Sequence, residues 1–253
     1  MRYPIGIEKQ LSKLYVNFLK KIQQQFIKKL IKAQNKNLQV DGIEDIENII
    51  KKIIEKIYLS KKLKSQIKNI FQQLNKHTFR ETEKFLNDYK KKNKNFYSIQ
   101  IPENTPFMQN FVERFTKNNI ELVQLSGQNY IESVGRLARE AFINGESTKS
   151  LSEKYKEFTD RSINKSKFWA QDQLGSAYSY FTQERQTSAG IPGFIWSTSR
   201  DNSVRVSHFA VDGKFGTWAV GILVEGIYTF PGRPYRCRCV AKPSFGIENE
   251  IQQ

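Results

Sequence analysis

The chain has 253 residues and a formal net charge of +16, with 41 Lys and Arg against 25 Asp and Glu. Hydrophobic residues make up 38%, enough for a modest core in one large or two small domains. No run is apolar for the ~20 residues of a membrane span, and the two cysteines, separated by one residue, form no disulfide framework, so neither a membrane protein nor a disulfide-stapled secreted one is expected.

The start, Met1-Arg2-Tyr3-Pro4, leads into a charged amphipathic run rather than a leader, so synthesis in a cytoplasm is expected. Charge is unevenly placed. Residues 1–100 carry 23 Lys and Arg against 9 Asp and Glu, a surplus of 14, whereas residues 101–253 carry 18 against 16. A basic N-terminal part points to a polyanionic partner, DNA or an acidic surface. The alternative is a lysine face that meets only solvent. Lysine outnumbers arginine there, which gives phosphate attraction with little base reading. The candidate phosphate contacts are Lys20, Lys21, Lys28 and Lys29, then Lys51 and Lys52, Lys61 and Lys62, and the run Lys90, Lys91 and Lys92.

In chain order, apolar residues from Leu11 to Ile31 draw one face of a helix of about seven turns, which should end before Gly42. Isoleucines from Ile43 to Ile57 draw a second stripe. Ser60 is a candidate cap for a third helix through Leu74, and Phe79 to Tyr89 is a further helical stretch. The polar run Lys90 to Asn95, followed by Pro102 and Pro106, reads as a linker with a domain boundary near residue 98. Helices are then expected over 106–116 and 118–144, ending at Gly145. Ser147 or Thr148 should cap a short helix to Phe158. A longer helix should follow over 163–187, stopped by Gly190 and Pro192. Phe168, Trp169, Tyr178, Tyr180 and Phe181 lie on it and read as a packing face, with base stacking as the alternative.

After Gly193 the texture changes to short β-prone runs, Phe194–Ser199, Val220–Val224, Ile227–Phe230 and Cys239–Ala241, joined by turns such as Asp212-Gly213. The predicted fold is α+β: a long helical N-terminal region, then a helix-rich domain ending in a small turn-rich β element. No fixed-period repeat and no Gly-rich phosphate loop is visible.

The segment Trp196 to Cys239 gathers one of the two histidines, both cysteines and two of the three tryptophans. Cys237, Cys239 and His208 are the ligand types that zinc prefers, and Asp201 is a candidate fourth ligand. Buried apolar thiols on a strand are the alternative. Asp201, Arg205 and His208 also suit a hydrogen-bonded core of charge-assisted pairs, which needs no substrate. A third reading makes His208 a general base oriented by Asp201, with Arg205 or Arg238 facing an anion, as in a metal-dependent nucleic-acid-processing or toxin-like enzyme. No second acidic cluster accompanies it, and no enzymatic activity is expected. His77 reads as a surface helix residue.

The order Ile195-Trp196-Ser197-Thr198-Ser199-Arg200-Asp201, Val204-Arg205, His208, Asp212-Gly213, Pro231-Gly232, Cys237-Arg238-Cys239 resembles the C-terminal signature of phage minor head proteins of the Mu F type, the head morphogenesis proteins. The resemblance covers roughly residues 130–243. It departs at Arg236, where the family usually has Asn. It implies a structural virion component inside the capsid near the portal, acting in head assembly and genome packaging or delivery. Its implied partners are the portal protein, other head proteins and packaged double-stranded DNA, and no membrane. Trp196, Thr198, Asp201, Arg205, His208 and Arg238 are then motif residues. The expected domains are a basic helical region over 1–97, the helical part of the Mu F-like domain over 98–192, and a small motif-bearing end over 193–253. In such proteins enzymatic cargo follows the Cys-Arg-Cys, and with 14 residues after Cys239 none is expected.

Overall fold

The computed structural model describes residues 1–34, 43–55, 59–94, 101–201 and 204–246. The predicted end of the first helix before Gly42, the last residue of the second stripe, Ile57, and the boundary near residue 98 lie outside them. Most of the described residues are helical, and the described strands are antiparallel and follow the last long helix, so the fold is α+β. The described elements are α1 (Ile5–Gln34), α2 (Ile43–Ile54), α3 (Lys61–Lys92), α4 (Pro106–Ile143), α5 (Thr148–Ser188), β1 (Gly193–Ser197), α6 (Val206–Phe209), β2 (Phe215–Thr217), β3 (Ile222–Val224), β4 (Ile227–Thr229) and β5 (Val240–Ser244).

Helix starts follow the capping chemistry. Ser60 Oγ accepts the Leu63 N–H at 3.2 Å, Thr105 Oγ1 the Met108 N–H at 3.1 Å, and Ser147 Oγ the Ser150 N–H at 3.2 Å. Pro106 sits at the first helical position, where its missing N–H costs nothing. At the ends, Gly145 and Gly190 take φ of +61° and +71°, and the Ile191 N–H reaches back to the Gln186 carbonyl at 2.9 Å.

The helices are fewer and longer than the sequence suggested. The two stretches expected after Ser60 form one helix, α3, and the lysine run Lys90–Lys92 is its last turn rather than a linker. There the three ammonium groups complement the helix dipole. The pairs 106–116 with 118–144, and 148–158 with 163–187, likewise fuse into α4 and α5. The polar turns that looked like breaks are buried polar positions whose hydrogen bonds are satisfied inside the fold. Thr78 and Thr82 bond the carbonyls of Asn75 and Thr78 at 2.9 Å each. Asn119, fully buried, accepts from the Tyr15 hydroxyl at 2.5 Å. Thr159 bonds the Tyr155 carbonyl and meets the Tyr130 hydroxyl at 2.8 Å. Without Gly or Pro, such turns continue a helix.

The chain forms two compact units. One comprises Gln10–Ile67 and Lys117–Ala170, the other Met1–Lys9, Lys68–Thr116 and Gln171–Gln253. The first has a core of Leu19, Ile22, Phe26, Ile50, Ile53, Tyr130, Ile131 and Val134. α4 approaches its neighbours closely there: a Cβ at Gly135 would fall 2.1 Å from Ile50 Cδ1, and one at Gly127 2.8 Å from Ile22 Cδ1.

The second unit holds the β elements. β1 is central in the order β2-β1-β5, with Trp196 opposite Ala241 and Phe194 opposite Pro243. Alternation sends Phe194 and Trp196 inward to Val211, Trp218, Ile222, Cys237 and Cys239. β3 and β4 form a hairpin whose loop residues, Glu225 and Gly226, have φ of +52° and +80°, the type I′ geometry that matches strand twist. β2 and α6 were not predicted, being three and four residues long. The cysteines precede β5 rather than lying in it: the strand expected at Cys239–Ala241 begins at Val240.

Candidate functional site

Every contact described here for the motif lies within the second unit. β1 delivers Trp196 to the core. The chain leaves β1, turns through Arg200 at φ +55°, and enters the single helical turn α6, which carries His208. The Asp212-Gly213 turn brings it back: the Gly213 N–H bonds the Trp196 carbonyl at 2.8 Å, and the Trp196 N–H the Lys214 carbonyl at 2.9 Å. Asp212 is the carboxylate that fastens this loop. Its Oδ1 accepts the Thr198 N–H at 2.8 Å and its Oδ2 lies 3.6 Å from Arg200 Nη2.

His208 is 3% exposed, with its ring edge-on to Trp196 at 5.5 Å between centroids. Its Nδ1 lies 3.4 Å from Cys237 Sγ and 3.5 Å from Cys239 Sγ. Both cysteines are free and buried, at 4% and 2%. The Cys239 N–H donates to Cys237 Sγ at 3.4 Å. The bond from the Cys239 thiol, with help from His208, holds the Cys237 thiol down at about 5 despite burial. Cys239 is pushed up, first by the Cys237 sulfur and then by burial. Trp196 acts on Cys239 in favour of the thiolate.

Three expected motif residues do not join this cluster. Asp201 is exposed and stands outside the group of His208, Cys237 and Cys239, so it is not the fourth ligand. Arg205 is exposed and donates to the Tyr235 carbonyl at 2.6 Å. His208 meets the two sulfurs, and the loop after β1 is fastened by Asp212 with Thr198 and Arg200. Arg238, between the cysteines, turns to Glu8 instead. Its Nη2 and Nε donate to Oε1 at 2.5 Å and Oε2 at 3.0 Å, a bidentate pair. A cavity of about 200 Å³ opens beside the cluster, lined by His208, Cys237, Cys239, Ser199, Arg205, Arg236 and Arg238.

α5 supplies the wall behind the motif. Gly175 passes so close that a Cβ there would lie 2.9 Å from the Cys237 carbonyl oxygen. Gly232 of the Pro-Gly step, at φ +85°, returns the approach: its Cβ would fall 3.1 Å from the Gly175 carbonyl. Gln171 donates to the Arg236 carbonyl at 2.9 Å, and Asp172 accepts the Arg236 N–H at 3.0 Å. Gln186, fully buried, accepts from Trp218 Nε1 at 3.1 Å and donates to the Ala241 carbonyl at 3.0 Å.

Residues 132–242 match the family model described as Phage Mu protein F like protein. This segment belongs to the Phage Mu protein F-like family. The match begins inside α4, takes in all of α5 and ends within β5, so it contains the three clustered ligand atoms and their α5 wall. An uncharacterized protein of Haemophilus influenzae is 28% identical over 148 residues, which are 58% of this chain and 32% of that relative. The chain thus spans about a third of that relative's length. No solved structure matches.

In the Mu F-like segment, the departure at Arg236 has a conformational meaning. Arg236 sits at φ +57°, held there by Gln171 and Asp172, and Asn tolerates that region better than Arg. The aromatic stripe of α5 divides. Tyr178 and Phe181 are buried, Tyr180 packs on Phe111 and Phe115, Phe168 is exposed, and Trp169 carries the Lys165 ammonium 5.0 Å from its ring centroid. His77 is half-buried on α3, its Nε2 3.0 Å from the Arg2 carbonyl oxygen. The eleven lysines singled out as phosphate contacts lie on α1, α2 and α3, and all but the half-buried Lys29 are exposed. Glu8 and Gln186 were missed. Both stand in register with apolar positions, Glu8 ahead of Leu11, Tyr15 and Leu19 and Gln186 after Tyr178 and Phe181, and that register was the available signal.

Proposed function

We propose that the chain is a structural minor head protein of a phage or phage-like particle, acting in head assembly and in genome packaging or delivery rather than in catalysis. The observation that carries this is the Mu F-like match over α5 and the β elements, in which the motif's rare residues form the interior of a small folded module. In this reading the protein lies inside the capsid near the portal and associates with the portal protein and other head proteins. The exposed lysines of α1, α2 and α3 would touch packaged DNA without reading its sequence.

Mass spectrometry of purified particles, with cross-linking to the portal, tests the assembly role. The chain should be present at low copy and cross-link to portal subunits; its absence from the particles refutes the reading. DNA contact is tested by affinity against salt. The log–log slope should be near −0.9 per phosphate contacted and become shallower when Lys51, Lys52, Lys61 and Lys62 are changed to Gln. An unchanged slope removes these lysines from the interface.

A further inference from the structure

We propose that His208, Cys237 and Cys239 form a three-ligand site for a thiophilic divalent metal, zinc by preference, whose fourth position opens to the adjoining cavity. The proposal rests on spacing. Zinc bonds to sulfur at ~2.3 Å and to imidazole nitrogen at ~2.0–2.1 Å, so tetrahedral angles place S and N ligand atoms ~3.5 Å apart. The two observed Sγ to Nδ1 separations are 3.4 and 3.5 Å, and all three atoms lie within 4.8 Å of one another. One ring nitrogen equidistant from two sulfurs is the arrangement a shared ion requires. A thiol–imidazole hydrogen bond would need only one of them.

The surroundings fit an ion as well. The Cys239 N–H already donates to Cys237 Sγ, as a backbone amide does to a metal-bound thiolate. The edge-on packing of Trp196 fixes the plane of the imidazole. Two thiolates and a neutral imidazole cancel the charge of a divalent ion, so the loaded site is neutral in a buried setting. The lining of Ser199, Arg205, Arg236 and Arg238 makes the free face polar and cationic, suited to water or an anionic oxygen ligand in the fourth position. Soft sulfur donors with imidazole select zinc over magnesium or calcium. A bound ion would tie α6 to the loop before β5 in a module with few apolar residues.

The full chain, expressed with zinc and freed of loose metal by gel filtration, should contain about one zinc per chain by plasma mass spectrometry. Cobalt exchange should give a thiolate-to-cobalt charge-transfer band and tetrahedral visible bands. Cys237→Ser and Cys239→Ser should each weaken that charge-transfer band and lower the metal content; His208→Ala should keep thiolate bands with altered visible bands. Should a variant fail to fold, the wild-type metal content and cobalt spectrum decide alone. Less than about 0.2 metal per chain together with no cobalt charge-transfer band overturns the site. A Cys237–Cys239 disulfide in protein purified without oxidant overturns it equally.

Discussion

Replacing Glu8 by Ala should cost the second unit about 2–3 kcal/mol, a figure that follows from how Arg238 is held. Two charge-assisted hydrogen bonds, at 2.5 and 3.0 Å, join the guanidinium to the carboxylate. Each would contribute ~1.5–3 kcal/mol, and breaking a fully buried pair costs ~3–5 kcal/mol because one charge is stranded. The Glu8 side chain is 9% exposed, but Arg238 is 26% exposed, so water recovers part of the loss. Urea titration followed by circular dichroism on wild type, Glu8→Ala, Arg238→Ala and the double variant isolates the pair. The coupling should exceed about 1 kcal/mol, and Glu8→Gln, which keeps the shape, should lose less than Glu8→Ala. A Glu8→Ala change within about 0.5 kcal/mol of wild type, or additive single losses, would refute the argument.

Gly175→Ala should destabilise by about 1–3 kcal/mol, since its methyl meets backbone rather than a yielding side chain; a chemical melt indistinguishable from wild type would show that α5 can retreat from the Cys237 loop. Arg236→Asn should stabilise by about 0.5–1 kcal/mol, because the loop already imposes a left-handed backbone there; a loss in the denaturation midpoint would mean that the Arg236 side chain outweighs the strain. Arg185 is fully buried and donates to Asn75 Oδ1 at 2.7 Å and to the carbonyls of Pro102 and Glu103, and burial pushes its pKa down to about 10, still charged at neutral pH. Arg185→Met should cost about 2–4 kcal/mol by leaving three acceptors unpaired, and a thermal midpoint unchanged by that substitution would contradict the reading.

Much of this was legible in the residues. Helix starts at Ser60 and Ser147 and stops at Gly145 and Gly190 followed from capping chemistry, and the β-prone run from Phe194 announced a strand. The continuity of α3, α4 and α5 was hidden, because Asn75, Thr78, Asn119 and Thr159 look like breaks until their partners are known. Those partners are a carbonyl one turn back, a tyrosine far off in sequence or, for Asn75, Asn104 and Arg185. The site divided in the same way. Residue type pointed to His208, Cys237 and Cys239, and the folded chain places all three together. Asp212 was not singled out, because nothing in composition sets it apart from Asp201 and only the return of the chain to Trp196 brings it to the Thr198 N–H. Nothing local pairs Arg238 with Glu8, since that contact spans a separation of 230 residues.

That separation governs when each part can be assembled during synthesis. The unit built from Gln10–Ile67 and Lys117–Ala170 has all its residues once position 170 has left the ribosome. Met1–Lys9, by contrast, must wait for Arg238 to emerge before Glu8 meets its partner. For most of translation the Glu8 carboxylate in this stretch lacks its guanidinium partner and is available to chaperones or to neighbouring copies on a polysome. Closure around Arg238 is thus a late event with a large loop-closure cost, and a refolding experiment should find it among the slowest steps.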